Sequence, residues 1–319
     1  AETMLRRTQD GLLRDAAWGD HAPPLRDAQG DRIPPCPLVL YASFKLFEML
    51  RTLRRTAYAL GHTDDARYFA DRAVSLRRAI IELAFNDEGF GHPVADAWAL
   101  NLGVHPARGR STLLAALREA LQRHGGINPG GFFGHVQILD ALFRFGTARE
   151  AIESMTCDRF PGVAWSLKHD EATSIYETFA EPGSLLYRER SANHPPYGAQ
   201  AALLWSRLLG IRPRVHDCAG DTRYAHGGFA RISLCPRPDA GLTRAEGWHS
   251  TPHGRVAVSL CESDDGYDWT VHLPPRTTAR VHLPEGWRYA SATAPKPNSL
   301  LGPGEHRFHL ARERTFQEA

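Results

Sequence analysis

Between residues 37 and 211 the apolar side chains recur at helical spacing, and after Pro213 the period changes to two. That switch limits the chain to a helical part followed by a sheet part. Leu38-Val-Leu-Tyr-Ala-Ser-Phe-Lys-Leu-Phe-Glu-Met-Leu50 opens a helix that continues to Leu60, where Gly61 supplies the stop. Thr63-Asp64-Asp65 is expected to cap a second helix running to about Phe85, and Asn86-Asp-Glu-Gly89 reads as a turn. Further helices are predicted over 94–102, 111–124, 134–145, 147–155 and 197–209. Antiparallel neighbours with short links are helical hairpins.

Beyond Pro213, short alternating runs such as Val256-Ala-Val-Ser-Leu260 and Tyr267-Asp-Trp-Thr-Val-His-Leu273 are separated by Pro and Gly turns. This is the pattern of an antiparallel β-sandwich. Because proline cannot donate to a central ladder, the strand after Pro274-Pro275 is expected at an edge. The predicted class is therefore α+β with two domains, helical over 1–213 and β-sandwich over 214–319.

Chemistry concentrates before the boundary. Ser174-Ile-Tyr-Glu-Thr-Phe179 sets the carboxylate of Glu177 among Tyr176 and Phe179. Desolvation by aromatics disfavours the charged carboxylate, and hydrogen bonds tune it back, which suits proton transfer. Ser191-Ala-Asn-His-Pro-Pro-Tyr-Gly198 follows, placing Asn193 and His194 at a tight turn. Taken alone, a helix-terminal Glu177 and a capping Asn193 are the better reading.

The order of these segments resembles the bacterial α-L-rhamnosidase family. Its pattern there reads Thr-Thr-Trp-Glu-x-Trp, then Ser-Leu-Asn-His-x-x-x-Gly, then a helix ending Ala-Gly-Ile, against Leu209-Gly-Ile211 here. Trp18-Gly-Asp20, Ala59-Leu-Gly61 with Asp65-Ala-Arg-Tyr68, and Gly130-Gly-Phe-Phe-Gly134 match other family segments in the same order, as do Ser250-Thr-Pro-His-Gly254 and Leu273-Pro-Pro-Arg276 downstream. The resemblance implies a toroid of six helical hairpins with a C-terminal β-domain, and inverting hydrolysis of terminal α-L-rhamnosyl linkages. It makes Glu177 the general base and His194 and Asn193 sugar ligands. Trp18, Asp20, Trp165 and Tyr176 would form the rest of the pocket, with His21 where the family has Trp. Trp165 reads equally as core, whereas Asp96 and Trp98, inside a helix, read as packing or a solvated face. Only about seven or eight helices are visible by periodicity, and no counterpart of the family's Arg-Asp-Glu general-acid segment precedes Trp18. The chain by itself is therefore expected to hydrolyse poorly and to self-associate through uncovered apolar faces.

A net charge of +2 gives no electrostatic case for nucleic acid or an anionic membrane. Thirty-five of the 38 basic residues are arginine, a bias that genome composition explains. Five cysteines without C-x-x-C spacing argue against a zinc site or disulfide framework and for a reducing cytoplasm, although two of Cys218, Cys235 and Cys261 could meet in the β-rich part. No membrane-length apolar run or signal-peptide core occurs. The sixteen histidines form no H-E-x-x-H motif, so neither metal nor cofactor is expected, and the partner is a carbohydrate. Two other readings stay open: a sugar-binding remnant that does not cleave, and a toroid enzyme acting on another deoxysugar or a uronic acid.

Overall fold

A computed structural model describes residues 2–24, 26–27, 29–170, 172–181, 183–214, 228–290 and 299–313. Cys218, which the sequence offers as a disulfide partner, lies outside the described residues; Cys36, Cys157, Cys235 and Cys261 are free thiols. The chain divides into two compact units, one of residues 1–146 with 150–200 and one of 147–149 with 201–319.

In the first unit a helical turn, Glu2–Leu5, and a short antiparallel ladder, β1 (Thr8–Gln9) with β2 (Leu12–Leu13), precede the longer helices. These are α1 (Leu38–Ala59), α2 (Thr63–Ala84), α3 (Pro93–Leu102), α4 (Gly109–Arg123), α5 (Gly134–Phe145), α6 (Ala148–Met155) and α7 (Val163–His169). Their burial explains their placement. Positions Val94 to Leu100 of α3 are all buried, so this helix must be covered on every side, and it packs against α1, α4 and α5. By contrast α2 buries only Ala66, Ala73, Leu76 and Ile80, a single stripe that lies on α1. Burying side chains the size of Trp98 and Leu100 contributes about 1.5–3 kcal/mol each, and both are essentially inaccessible.

Helix ends follow local chemistry, with one exception. Gly61 adopts φ +80° after α1, a conformation that costs glycine nothing. Asn86 and Gly89 exchange backbone hydrogen bonds at 2.9 and 3.1 Å, closing the expected turn. The Nδ1 of His92 accepts from the N–H of Val94, capping α3 ahead of Pro93. Thr63, expected to cap α2, is instead its first residue; no side chain caps that end, and Asp64 and Asp65 in the first turn face the positive end of the helix dipole.

The second unit begins with a helix that does not run as expected to residue 209. After Ala201–Leu203, residues Leu204–Leu208 form a π-helical turn in which the Leu209 N–H reaches the Leu204 carbonyl at 2.8 Å. Gly210 then turns at φ +68° against the backbone of Cys235, an approach that leaves no room for a side chain.

Two sheets follow. One is five-stranded and antiparallel, in the order β5 (Arg244–Thr251), β6 (Gly254–Ser263), β7 (Gly266–Leu273), β11 (Gly304–Arg312), β9 (Trp287–Tyr289). The other runs β10 (Leu300–Leu301), β8 (Thr278–Val281), β4 (Arg231–Leu234), β3 (Arg212–Pro213). Alternate residues Val256, Val258 and Leu260 of β6 and Tyr267, Trp269, Val271 and Leu273 of β7 enter one core with Ile232 and Ala279. The strand after Pro274-Pro275 is not at an edge: β8 lies between β10 and β4, and pairs with β4 in parallel. The prolines sit in the turn before it and take no place in its ladder, so the rule that confines proline to edges does not apply.

Candidate active site

Two strand-like segments carry the main candidates. The N–H of Glu177 donates to the Ser191 carbonyl at 3.0 Å, and the N–H of His194 donates to the Ile175 carbonyl at 2.7 Å. The Ser174 hydroxyl donates to the Ala192 carbonyl and tightens the same pairing. The Ser191 N–H returns to Oε2 of Glu177 at 3.1 Å. Glu177 is half-buried, so a fixed donor orients one carboxylate oxygen while the group stays reachable.

Aromatic packing joins this ladder to two distant segments of the first unit. The His194 ring lies 4.6 Å from the Phe132 ring, centroid to centroid. Phe132 meets His21 at 6.4 Å, and His21 meets Trp18 edge-on at 4.9 Å. Phe179, two residues after Glu177, packs on fully buried Tyr197 at 5.0 Å. The Tyr197 hydroxyl donates to the Ala22 carbonyl, and burial holds its phenol well above the usual range. Residues 18–22, the 130–134 turn and the Glu177/His194 ladder therefore converge. Trp18 is 74% exposed.

Asp20, expected as a sugar ligand, has another task. It is 4% exposed, and its two oxygens accept from the N–H groups of Gly131, Phe133 and Gly134 at 2.8, 3.0 and 2.9 Å. These donors lie at the start of α5, where helical N–H groups lack internal partners. Burial raises the Asp20 pKa, and the three backbone donors pull it partly back.

The remaining candidates divide. Asn193 is exposed and does not cap the following turn, α9 (Pro195–Gly198), whose N-cap is His194 without a side-chain bond. Trp165 lies on α7, edge-on to Phe160 at 4.9 Å and 5.6 Å from His169. Tyr176 stacks under the Arg190 guanidinium at 4.0 Å.

Arg190 is a residue that sequence reasoning missed. It follows α8 (Leu185–Glu189), stacks 3.5 Å from Tyr187 and pairs with Asp170 at 3.1 Å, while the Tyr187 hydroxyl donates to the same carboxylate. With side chains 7% and 12% exposed, this ion pair is buried immediately before Ser191. Phe132 was also missed; its signal was an aromatic pair inside a glycine turn, where a side chain with no local core to fill must pack on something distant.

Asp96 and Trp98 both face inward rather than into solvent. The Asp96 carboxyl accepts only the Phe90 N–H, at 2.8 Å, among the described residues, and burial pushes its pKa up to about 7. It borders a cavity of about 680 Å³ with Asp87, His92, Glu119 and Arg123. Neither this cavity nor a second, of about 750 Å³ in the other unit, is lined by Glu177 or His194. Among the described residues no group of three or more His, Cys, Asp or Glu is placed to hold a metal ion. Nor is any described helix long and apolar enough to cross a membrane.

Comparison with known proteins gives one consistent family. Residues 1–208 match the bacterial alpha-L-rhamnosidase 6 hairpin glycosidase domain, and residues 210–296 the bacterial alpha-L-rhamnosidase C-terminal domain. An alpha-L-rhamnosidase of Alteromonas sp. (strain LOR) is 24% identical over 271 residues, 81% of this chain and 28% of that protein. One from Streptomyces avermitilis is 24% identical over 294 residues, 88% of this chain and 26% of that protein. The crystal structure of Streptomyces avermitilis alpha-L-rhamnosidase complexed with L-rhamnose shares the fold with a TM-score of 0.80 at 20% identity, over 98% of this chain and 30% of that one. The structure of the Dictyoglumus thermophilum enzyme gives 0.81 at 18% identity, over 98% and 36%. The chain thus spans between about a quarter and a third of the length of these relatives. Helical hairpins, the following sheets and both family matches agree, and the chain belongs to the bacterial α-L-rhamnosidase six-hairpin glycosidase family.

Proposed function

We propose that the chain carries the water-activating half of an inverting α-L-rhamnosidase site, with Glu177 as general base. The observation that carries this reading is the Glu177 carboxylate itself. It is half-buried, oriented by the Ser191 N–H, and fixed on a segment hydrogen-bonded to the one bearing His194. In such a site a water between Glu177 and the anomeric carbon loses its proton to the carboxylate as it attacks. A second carboxylic acid, roughly 6.5–9.5 Å away, protonates the departing oxygen. In this reading His194, Tyr176 and Trp18 meet the ring, and exposed Asn193 offers an amide to its hydroxyls. Asp20 and Phe132 act through position, holding the 130–134 turn beneath them.

The test is L-rhamnose binding by the chain, followed by hydrolysis of an aryl α-L-rhamnoside when it is combined with the acid-bearing N-terminal half of a related six-hairpin rhamnosidase. Binding that His194→Ala weakens, with the β-anomer of rhamnose released first, fits the proposal. Binding with no hydrolysis in the combined protein favours a sugar-holding remnant, and release of the α-anomer first overturns inversion.

A further inference from the structure

The second unit holds a groove of about 750 Å³ between the π-helical turn 204–208 and strand β5, within the roughly 300–1,000 Å³ typical of small-ligand sites. Two indoles border it and both are open, Trp205 at 42% and Trp248 at 49% exposure. Two adjacent open indoles at one cavity form a contiguous apolar patch of the kind that marks a binding groove.

The groove is built by specific contacts. The Trp205 Nε1–H donates to the Trp248 carbonyl at 3.0 Å and sets one indole against the strand carrying the other. The Arg255 guanidinium lies 4.0 Å over the Trp248 ring and holds it in place. Gly247 lies under the Leu209 side chain, where an added Cβ would come 2.6 Å from its terminal methyl and make it turn aside. The π-turn shifts its register by one residue, the kind of irregularity that recurs at functional sites.

The lining chemistry narrows the occupant. Leu204, Leu208 and Leu242 supply apolar surface, while His249, Ser250 and the Arg244–Glu246 pair, 2.6 Å apart, supply donors and acceptors on the same strand. Flat apolar faces beside planar polar groups complement a sugar ring, which presents C–H bonds on its faces and hydroxyls at its edge. A peptide strand added to the outer edge of β5 fits less well. β5 does end its sheet, but Trp205 already occupies the Trp248 carbonyl that a new strand would need.

We propose that the groove between Trp205 and Trp248 is a second carbohydrate site, within the second unit, that stacks a neutral sugar ring. The 6-deoxy ring of rhamnose suits it, because its methyl group meets the leucine wall. The choice of rhamnose rests on the function proposed above; the fit to a neutral sugar does not.

The experiment titrates the full chain, labelled with ¹⁵N at its tryptophan indoles, with methyl α-L-rhamnopyranoside and separately with methyl β-D-glucopyranoside. The Trp205 and Trp248 signals are expected to shift saturably with at least one sugar. Trp248→Ala should weaken that binding about tenfold or more, while Trp248→Tyr, which keeps a ring, should retain most of it. His194→Ala should leave these shifts unchanged, so loss of the first site and loss of the groove read separately. Absence of saturable shifts with both sugars overturns the proposal. So does an equal response in Trp248→Ala, or displacement of the sugar-induced shifts only by β-strand peptides.

Discussion

Glu177 and Ser191 hold each other from both sides: the Glu177 N–H donates to the Ser191 carbonyl at 3.0 Å, and the Ser191 N–H donates to the Glu177 carboxylate at 3.1 Å. A carboxylate tied to its own ladder partner keeps its direction when a substrate arrives. Positioning of that kind lowers the entropy lost in reaching the attacking geometry.

Glu177→Gln therefore preserves the fold and most sugar binding, because glutamine keeps an acceptor oxygen for the Ser191 N–H. Hydrolysis in the combined protein should fall by roughly 10²- to 10⁴-fold. Steady-state rates on an aryl α-L-rhamnoside check this, and near-normal turnover would assign the base elsewhere.

Asp20→Ala should destabilise the first unit by at least about 2 kcal/mol, since the buried N–H groups of Gly131 and Gly134 lose their acceptor at about 1–3 kcal/mol each and the part-buried Phe133 N–H loses its own. Asp20→Asn, which retains one oxygen, should lose distinctly less. Urea denaturation of the three proteins measures the difference; an Ala variant as stable as the parent would show that the turn is held by other contacts.

Arg190→Ala leaves the Asp170 carboxylate, 12% exposed, with the Tyr187 hydroxyl but without its cation. Breaking one half of a buried pair costs about 3–5 kcal/mol, and here the loss falls beside the Glu177 ladder. The expected readout is faster exchange of the Ser191 amide along with a lower unfolding midpoint. An unchanged midpoint in Arg190→Ala would count against the pair.

Two buried groups oppose one another in pH dependence. The Asp96 pKa rises to about 7 in the fold, so the native state binds more protons than the unfolded chain between the ordinary value of 3.8 and about 7. Stability from this group is present below that window and is lost as pH rises through it. His135, buried with Gln200 at 2.9 Å, is pushed down to about 4 from 6.5, so its contribution is present above 6.5 and is lost as pH falls towards 4. Where the windows overlap the two largely cancel. Asp96→Asn removes one arm: stability at pH 8 should increase by about 2–4 kcal/mol, at 1.36 kcal/mol per pKa unit, and the remaining curve should rise from pH 4 to 6.5. Chemical denaturation across pH tests both; a flat profile in the Asn variant would contradict the His135 assignment.

The helical unit also shows large apolar side chains on its outside, Leu60 and Val74 each 68% exposed. The apparent mass of the chain in light scattering should rise with concentration. Val74→Glu should reduce that rise, and a concentration-independent monomer mass would rule the association out.

Local periodicity made much of this legible. The spans of α1, α2, α3 and α5 follow directly from apolar spacing and from glycines at their ends, because those signals act within a few residues. Glu177 and His194 stood out because their motifs, in their order along the chain, resemble those of the family; the local composition alone favoured a structural role. The work of Asp20 was not legible, since its acceptor role depends on donors more than 110 residues away. The same holds for Arg190, whose neighbours Asp170, Tyr176 and Tyr187 meet only after folding. The central place of β8 was hidden for a related reason: which strands become neighbours is settled by core packing, and a proline signals only where a ladder cannot run.

The Asp20 clamp has a kinetic meaning. Its donors, Gly131, Phe133 and Gly134, are joined to their acceptor only through a loop that includes α1 to α4, so the clamp cannot close until that whole length has been gathered. Once closed, these amides have no local way to open, because fraying the start of α5 means withdrawing a segment from the far end of the unit. In hydrogen exchange the Gly131 and Gly134 amides should therefore behave as slow reporters of opening of the whole first unit, although they lie in a glycine turn where rapid exchange is the usual rule.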